Sequence, residues 1–326
     1  MKTKISRGKF ENLQKLADDE GTLSILGLDK PFNPTSKTEP VCNLEQSMEF
    51  KQIVSEYLSN TASGILFDRL DGMKVIQHAG VLTDYDVFSK NSLLSLNRLA
   101  HAKTNAVKVT FTYNPHTDDK TNDQKLARLE RLGAEALAAD LPLFVAPLTY
   151  DDNVADKTSP EFAKLQPSLV IDTLKELTKQ RYHIDILEIE IPLNFDFVEG
   201  FTAPDQPAVY SKREAAKLLK EASDTTTRPF IYQNGLNTMA TFNQAVKFAG
   251  QSGAKFSGAV ASYTAWSEAL TSYLNQGEVG LKNWLETVGK PNLENLNNIL
   301  ENYATPWYDR FGGLKSLDLF DNPIEL

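Results

Sequence analysis

Side chains that can transfer protons lie inside or directly after short apolar runs of this sequence. Lys108 lies within the run AVKVTF, and Glu188 and Glu190 lie within the run ILEIEIPL. Asp29 follows LSILGL, and Asp68 follows ASGILF. Carboxyl groups and a lysine amine can serve as general acids and bases, and an uncharged lysine amine can attack a carbonyl carbon. These five residues are therefore the candidate catalytic residues.

The alternation of residue types around these side chains predicts which way they point. Successive residues of a strand face opposite sides, so Val107 and Val109 share one face and Lys108 lies on the other. Glu188 and Glu190 likewise share a face. Two carboxylates on one buried face repel each other unless a cation, a proton or a hydrogen-bond donor separates them. We therefore predict that Lys108 and Glu188 form an ion pair, either as a structural pair or as part of a ligand pocket.

Asp29 and Asp68 have two alternative roles. Each directly follows an apolar run, so its carboxylate could act on a ligand at the end of a strand. An aspartate at such a point of the chain could equally cap the N-terminus of the next helix. Both interpretations remain open for both residues.

Other site chemistries find no support in the residue spacing. The four histidines are scattered, and none has a second histidine or a cysteine at metal-binding spacing. Cys42 is the only cysteine, which excludes an intrachain disulfide and a cysteine metal cluster. The sequence contains neither a G-x-S-x-G nucleophile elbow nor a G-x-G-x-x-G turn after its first strand. We therefore expect no metal and no cofactor.

Eight short apolar runs alternate with longer amphipathic stretches along the chain. This alternation predicts parallel strands joined by right-handed crossovers. Eight such units predict a single closed (β/α)₈ barrel, the TIM barrel of the α/β class. The predicted strands are Leu23–Leu28, Ala62–Phe67, Gly80–Leu82, Ala106–Phe111, Leu143–Leu148, Ile186–Leu193, Phe230–Tyr232 and Phe256–Ala261. Active sites of such barrels lie at the carboxyl ends of the strands, where the candidate residues fall.

Two more helices are predicted after the eighth strand, over Val279–Val288 and Leu293–Tyr303. We expect residues 1–310 to form the barrel domain with these extra C-terminal helices. Residues 311–326 are expected to form a short C-terminal tail. The apolar side chains of this tail are expected to pack on the surface of the domain; they are Leu314, Leu317, Leu319 and Phe320.

The composition narrows the classes of partner. The chain has 326 residues and a formal net charge of −9, which disfavours binding to the phosphates of nucleic acid. No apolar run approaches the roughly 18 residues that a membrane span needs, and Met1–Glu20 lacks the apolar core of a signal peptide. We expect a cytoplasmic protein with a small-molecule ligand, no nucleic-acid or membrane partner, and the capacity to form a homo-oligomer.

Six stretches of the sequence match a known family pattern. They are ASGILFD, NAVKVTFTY, LTYDDN, SPEFAKLQP, IDILEIEIPLNFDFVEGF and GAKFSGAV. The fifth stretch is specific, because it runs from a strand into N-x-x-x-V-E-G-F. On these stretches the chain resembles the tagatose-1,6-bisphosphate aldolase family of class I aldolases, from about Gly8 to Trp307. The resemblance implies a barrel lyase of carbohydrate metabolism that acts on a ketose bisphosphate.

The resemblance also implies roles for individual residues. The family forms a Schiff base between a lysine of the sixth strand and the sugar ketone, and relays protons through a glutamate of the fifth strand. It holds phosphate with an arginine after the eighth strand. At these three positions this chain has Glu188, Ala146 and Tyr263. The residues that match supporting members of the family's site are Asp29, Asp68, Lys108 and Glu190.

The implied phosphate site is also altered. The family's serine-alanine-glycine turn after the seventh strand reads Gln233-Asn234-Gly235-Leu236 here. Asn234, Gly235 and Tyr263 therefore form a degenerate phosphate site. A carboxylate cannot condense with a ketone, alanine cannot carry a proton, and tyrosine has no guanidinium to clamp phosphate.

These replacements leave three functional hypotheses. The first is a catalytically silent or functionally changed homologue that binds a small, sugar-like ligand. The second is a barrel enzyme with carboxylate-based or metal-based chemistry at the acidic candidate residues. The third is a lyase that uses another lysine, Lys108 or Lys30. Acids around Lys108 would raise its pKa and so disfavour the third hypothesis.

Overall fold

Eight parallel strands close into a barrel, and helices pack around its outside. The computed structural model describes residues 2–29, 42–68, 79–86, 95–102, 104–235, 237–262 and 265–321. In chain order the strands are β1 (Thr3–Ser6), β2 (Leu23–Leu28), β3 (Gly64–Phe67), β4 (Gly80–Asp84), β5 (Ala106–Tyr113), β6 (Leu143–Thr149), β7 (Ile186–Glu190), β8 (Phe230–Gln233), β9 (Gly258–Ala261) and β10 (Leu317–Phe320). Strands β2 to β9 are hydrogen bonded in sequence order, and β9 pairs with β2 to close the barrel. The predicted fold is confirmed.

Several strands differ from their predicted bounds. β4 continues beyond Leu82 to Asp84, and β5 continues beyond Phe111 to Tyr113. β7 ends at Glu190 rather than at Leu193. Pro192 explains the early end of β7, because proline has no N–H to donate to a strand ladder. The extension of β4 matters most, because it places a further carboxylate in the barrel.

Side chains that point into the barrel form an apolar layer beneath a polar one. The apolar layer is buried and consists of Ile25, Leu66, Leu82, Ala106, Phe144, Ile186, Ile231 and Val260. Because side chains alternate along a strand, the next inward position lies two residues further toward the carboxyl end. These next positions include Asp68, Asp84, Lys108, Ala146, Glu188 and Gln233. The polar side chains of the barrel therefore lie directly above a buried apolar layer.

The helices bury their apolar faces against the outside of the barrel. They are α1 (Arg7–Leu16), α2 (Leu44–Leu58), α3 (Leu96–His101), α4 (Asp119–Ala138), α5 (Pro160–Leu177), α6 (Lys212–Thr225), α7 (Met239–Gln251), α8 (Ser267–Trp284) and α9 (Lys290–Tyr303). The predicted helix Val279–Val288 spans the end of α8 and most of a π-helical turn over Leu285–Gly289, which joins α8 to α9. The predicted helix Leu293–Tyr303 lies within α9. No helix in the described ranges is long and apolar enough to cross a membrane.

The N-terminal and C-terminal segments meet at the amino ends of the barrel strands. β1 and β10 form a two-stranded parallel sheet, and buried Trp307 packs with Phe10 and Phe311 beside it. The tail is therefore paired with the start of the chain. Of its four apolar side chains, Leu317 alone is buried, whereas Leu314, Leu319 and Phe320 are exposed. Leu317 thus packs into the domain, whereas the other three side chains keep 36–47% of their surface exposed.

Candidate active site

Lys108 lies at the centre of the polar layer and binds carboxylates of two other strands. Its Nζ atom is 2.9 Å from Asp29 Oδ2 and 3.0 Å from Glu188 Oε1. Lys108 is buried, and Glu188 has no exposed surface. The predicted ion pair between Lys108 and Glu188 is confirmed. Asp29, which follows β2, also contacts Lys108, and α2 is capped by Asn43 rather than by Asp29.

Asp84 is a further carboxylate of this centre that the sequence analysis missed. It ends β4 and lies directly beside Lys108 in the strand register. The predicted strand ended at Leu82, because the apolar run there is short. Continuing the same alternation for one more step, from Leu82 to Asp84, would have identified it.

Three carboxylates therefore surround one ammonium group in a buried setting. Burial disfavours the charged form of Lys108, but Asp29, Glu188 and Asp84 outweigh it and raise the pKa of this lysine above its usual range. Burial raises the pKa of Glu188, and Lys108 opposes that shift. Burial, with some repulsion from Asp29 and Glu188, raises the pKa of Asp84 to about 7. Lys108 thus stays charged, while Asp84 changes its protonation near neutral pH.

The other two candidate acids have separate partners at the mouth of the barrel. Asp68 Oδ1 is 2.5 Å from Nζ of Lys51, which lies on α2. Glu190 Oε2 accepts hydrogen bonds from the N–H and the Oγ–H of Thr149, both at 2.8 Å, and Lys157 approaches Glu190 Oε1 at 3.3 Å. The capping alternative for Asp68 concerns residues 69–78, which lie outside the described ranges.

Ala146 occupies the inward position of β6, the strand between those that carry Lys108 and Glu188. It is fully buried and pairs in register with Thr110 of β5. Its methyl group can neither accept nor donate a proton. Position 146 therefore contributes shape to the pocket and no acid–base chemistry.

Three buried polar atoms of the inward layer lack hydrogen-bond partners among the described residues. They are both carboxylate oxygens of Glu188, of which Oε1 is in ion-pair contact with Lys108, and Nε2 of Gln233, which is the last residue of β8. In the described part of the chain, no group of three or more histidine, cysteine, aspartate or glutamate side chains could hold a metal ion.

One of the candidate phosphate residues, Asn234, accepts hydrogen bonds from within the protein. Asn234 is fully buried, and its Oδ1 atom accepts from the N–H of Ser262 at 2.9 Å and from the Ser262 Oγ–H at 2.5 Å. Gly235 has a φ of +54°, a left-handed conformation that favours glycine. Tyr263 lies outside the described residues. The sequence analysis missed Ser262, because Ser262 and Asn234 follow different strands and are far apart along the chain.

Comparisons with known proteins place the chain among aldolases. The model of the DeoC/LacD family aldolase matches residues 46–268, which include β3 to β9. The chain is 35% identical over 338 aligned positions to the tagatose 1,6-diphosphate aldolase of Listeria monocytogenes serovar 1/2a, covering 97% of this chain and 98% of that protein. It is 35% identical over 322 positions to a Staphylococcus haemolyticus protein of the same name, covering 93% and 98%.

Solved aldolase structures share the fold at much lower identity. The fructose-bisphosphate aldolase of Plasmodium falciparum, solved with TRAP and a small molecule inhibitor, superposes with a TM-score of 0.58 and 12% identity, covering 90% of this chain and 97% of that one. An archaeal fructose 1,6-bisphosphate aldolase gives a TM-score of 0.54 and 14% identity, covering 86% and 98%. These likenesses support the barrel fold alone.

Proposed function

Because this chain belongs to the DeoC/LacD family of aldolases, we propose that it is a ligand-binding member that has lost Schiff-base cleavage of ketose bisphosphates. The observation that carries this proposal is the contact of 3.0 Å between Glu188 Oε1 and Lys108 Nζ. This contact supports the proposal, because the resemblance implies a nucleophilic amine at position 188, where this chain has a carboxylate in an ion pair.

The chemistry of the centre supports the loss of the covalent step. An amine must be uncharged to attack a ketone, and three carboxylates hold Lys108 in its charged form. Ala146 supplies no proton carrier, and general acid–base catalysis typically contributes about 10²–10⁴-fold to rate. The nucleophile of the implied mechanism has no replacement among the described residues that line this centre.

The ligand that we propose is small and sugar-like. Asp29 and Asp84 are partly exposed at the carboxyl end of the barrel, above the apolar floor. Carboxylate oxygens accept hydrogen bonds from hydroxyl groups, so a polyhydroxylated molecule can satisfy them. A ligand bound to these carboxylates lies at the end of the barrel where sites of this fold lie.

Borohydride trapping tests the proposal. The native protein is incubated with tagatose 1,6-bisphosphate and borohydride, and mass spectrometry is used to search for a sugar adduct. We expect no adduct and no aldol cleavage. The matched variant restores the implied residues through Glu188→Lys, Ala146→Glu and Tyr263→Arg. A sugar adduct on any barrel lysine of the native protein, or native cleavage as fast as that of an active variant, would contradict the proposal.

A second candidate function is acid–base catalysis without a covalent intermediate. Asp84, with a pKa of about 7 beside the Lys108 ammonium, has the protonation behaviour that suits a general base at neutral pH. Such a base would remove the proton on the carbon next to a sugar carbonyl. NMR of D-tagatose in D₂O would then show protein-dependent exchange of that proton, which Asp84→Asn would abolish. The absence of exchange would exclude this candidate for that sugar.

A further inference from the structure

The ends of β8 and β9 meet at the mouth of the barrel and carry a buried hydrogen-bond cluster. In (β/α)₈ barrels, the loops after the seventh and eighth strands frequently form a phosphate site. In this barrel those strands are β8 and β9. Asn234 directly follows β8, and Ser262 directly follows β9. The two donors of Ser262, its N–H and its Oγ–H, both point at Asn234 Oδ1.

We propose that Asn234 is a specificity-determining residue that closes the anion position of this barrel, so that the pocket takes an unphosphorylated, neutral polyol. The inference rests on the proposed function insofar as it concerns the ligand of the same pocket. Beyond the proposed function, the ligand is assigned a chemical class, and Asn234 is the residue that determines this class.

The hydrogen bonds of Asn234 hold its side chain in one orientation. Oδ1 accepts from Ser262, and Nδ2 donates to the carbonyl oxygen of Asn237 at 3.4 Å. The side-chain amide of Asn237 donates in return to the Asn234 carbonyl oxygen at 3.0 Å. Asn234 is fully buried, so rotating it away would leave a buried oxygen and a buried amide unpaired. The amide oxygen therefore stays in contact with the two Ser262 donors, between the ends of β8 and β9.

An amide oxygen at this place excludes phosphate in two ways. It uses donors that a phosphate oxygen needs, and its own partial negative charge repels an anion. A phosphate gains most of its binding from charge-assisted hydrogen bonds with N–H and O–H donors. With both Ser262 donors engaged, a phosphate cannot use them unless Asn234 is displaced.

The charges at the mouth favour the same class of ligand. Three lysines at the mouth each form an ion pair with a carboxylate of the site. Lys51 pairs with Asp68, and Lys157 pairs with Glu190. Lys108 pairs with both Asp29 and Glu188. Asp84 adds a further carboxyl group beside Lys108. A phosphate dianion would be repelled by these acids, whereas neutral hydroxyl groups can donate hydrogen bonds to them.

Binding of inorganic phosphate to the full chain tests the proposal. We measure thermal stabilisation and ³¹P NMR line broadening for the native protein, for Asn234→Ala and for Asn234→Asp. Native protein is expected to show no phosphate-dependent change. Asn234→Ala frees both Ser262 donors and is expected to bind phosphate at least about tenfold more tightly than the native protein does. The reason is that hydrogen bonds to a charged group are stronger than those between neutral groups. Asn234→Asp retains the acceptor and is expected to remain inert.

Two results would overturn the inference. The first is phosphate-dependent stabilisation of the native protein, or tighter native binding of tagatose 6-phosphate than of D-tagatose, and this measurement requires no variant. The second is a folded Asn234→Ala protein with the same lack of phosphate response as Asn234→Asp. Either result leaves the proposed function standing, because that proposal fails only through a sugar adduct or native cleavage in the borohydride experiment.

Discussion

At position 188 a carboxylate changes what its neighbour Lys108 can do. Within a protein interior, an ammonium next to a carboxylate is stabilised in its charged form, so Lys108 serves as a counter-ion and hydrogen-bond donor. Lys108 has Asp29 and Glu188 in direct contact and Asp84 beside it in register. The lysine therefore offsets the charge of carboxylates that would otherwise repel one another.

Removing the ammonium should destabilise the fold strongly. Lys108→Met leaves buried Glu188 and partly buried Asp29 and Asp84 without this cation. Breaking a buried pair in this way typically costs about 3–5 kcal/mol. Urea unfolding at neutral pH measures the free energy of unfolding. The control is Lys175→Met, which removes a lysine from an exposed pair with Asp172 and should cost at most about 1 kcal/mol. Equal effects of the two substitutions would show that Lys108 is not holding the centre together.

Asp84 should make the stability depend on pH. Its pKa is about 7 in the fold and about 4 in an unfolded chain, so the folded state binds this proton more tightly. Its stabilising effect is fully present below about pH 4 and is lost as the pH rises to about 7, by at most about 1.4 kcal/mol per pH unit. Asp84→Asn should remove this part of the pH dependence and make the protein more stable than native at pH 8. Unchanged unfolding curves between pH 5 and 8 in both proteins would contradict the prediction.

At the scale of elements, the ends of strands and helices decide where the charged groups lie. α2 begins with a capping box, in which Asn43 accepts from the Gln46 N–H and Gln46 accepts from the Asn43 N–H. This helix carries Lys51, the partner of Asp68 at the end of β3. The cap therefore helps to position an ion pair at the barrel mouth.

Loss of the cap should weaken the protein by a measurable amount. Asn43→Ala leaves helical N–H groups without an acceptor and should cost about 1 kcal/mol of unfolding free energy. Asn43→Ser keeps a capping oxygen and should cost at most a few tenths of that amount. Thermal unfolding of the two variants under identical conditions compares them. Equal stability of the alanine and serine variants would mean that the cap contributes nothing.

At the scale of the whole molecule, the chemistry and the chain ends lie at opposite ends of the barrel. The polar layer opens at the carboxyl ends of the strands, while β1, β10 and Trp307 cover the amino ends. The expected boundary at residue 310 thus separates the barrel from a strand that pairs with the first strand of the chain. Changes in this small sheet should affect stability without altering the pocket.

A pair of leucines in β10 tests this separation. Leu317→Ala removes a buried side chain and should cost about 2 kcal/mol or more, whereas exposed Leu319→Ala should stay within about 0.5 kcal/mol of native. Both variants should bind ligands of the pocket with native affinity. A loss of binding in Leu317→Ala that persists at temperatures where the variant is folded would show coupling between the two ends.

The sequence by itself determined the barrel, the inward direction of Lys108 and Glu188, and their pairing. These follow from local physics, because a strand alternates its faces every second residue and the apolar runs and helical stretches repeat eight times. Asp84 was within reach of the same rule but followed too short a run to be assigned to a strand.

Only the tertiary structure decided which groups meet across the barrel. The contact of Asn234 with Ser262 and the separate partners of Asp68 and Glu190 depend on how far each strand reaches and on how neighbouring strands are staggered. Stagger and closure are properties of all eight strands together. Local alternation tells which face a side chain takes, and barrel closure determines which side chains it meets.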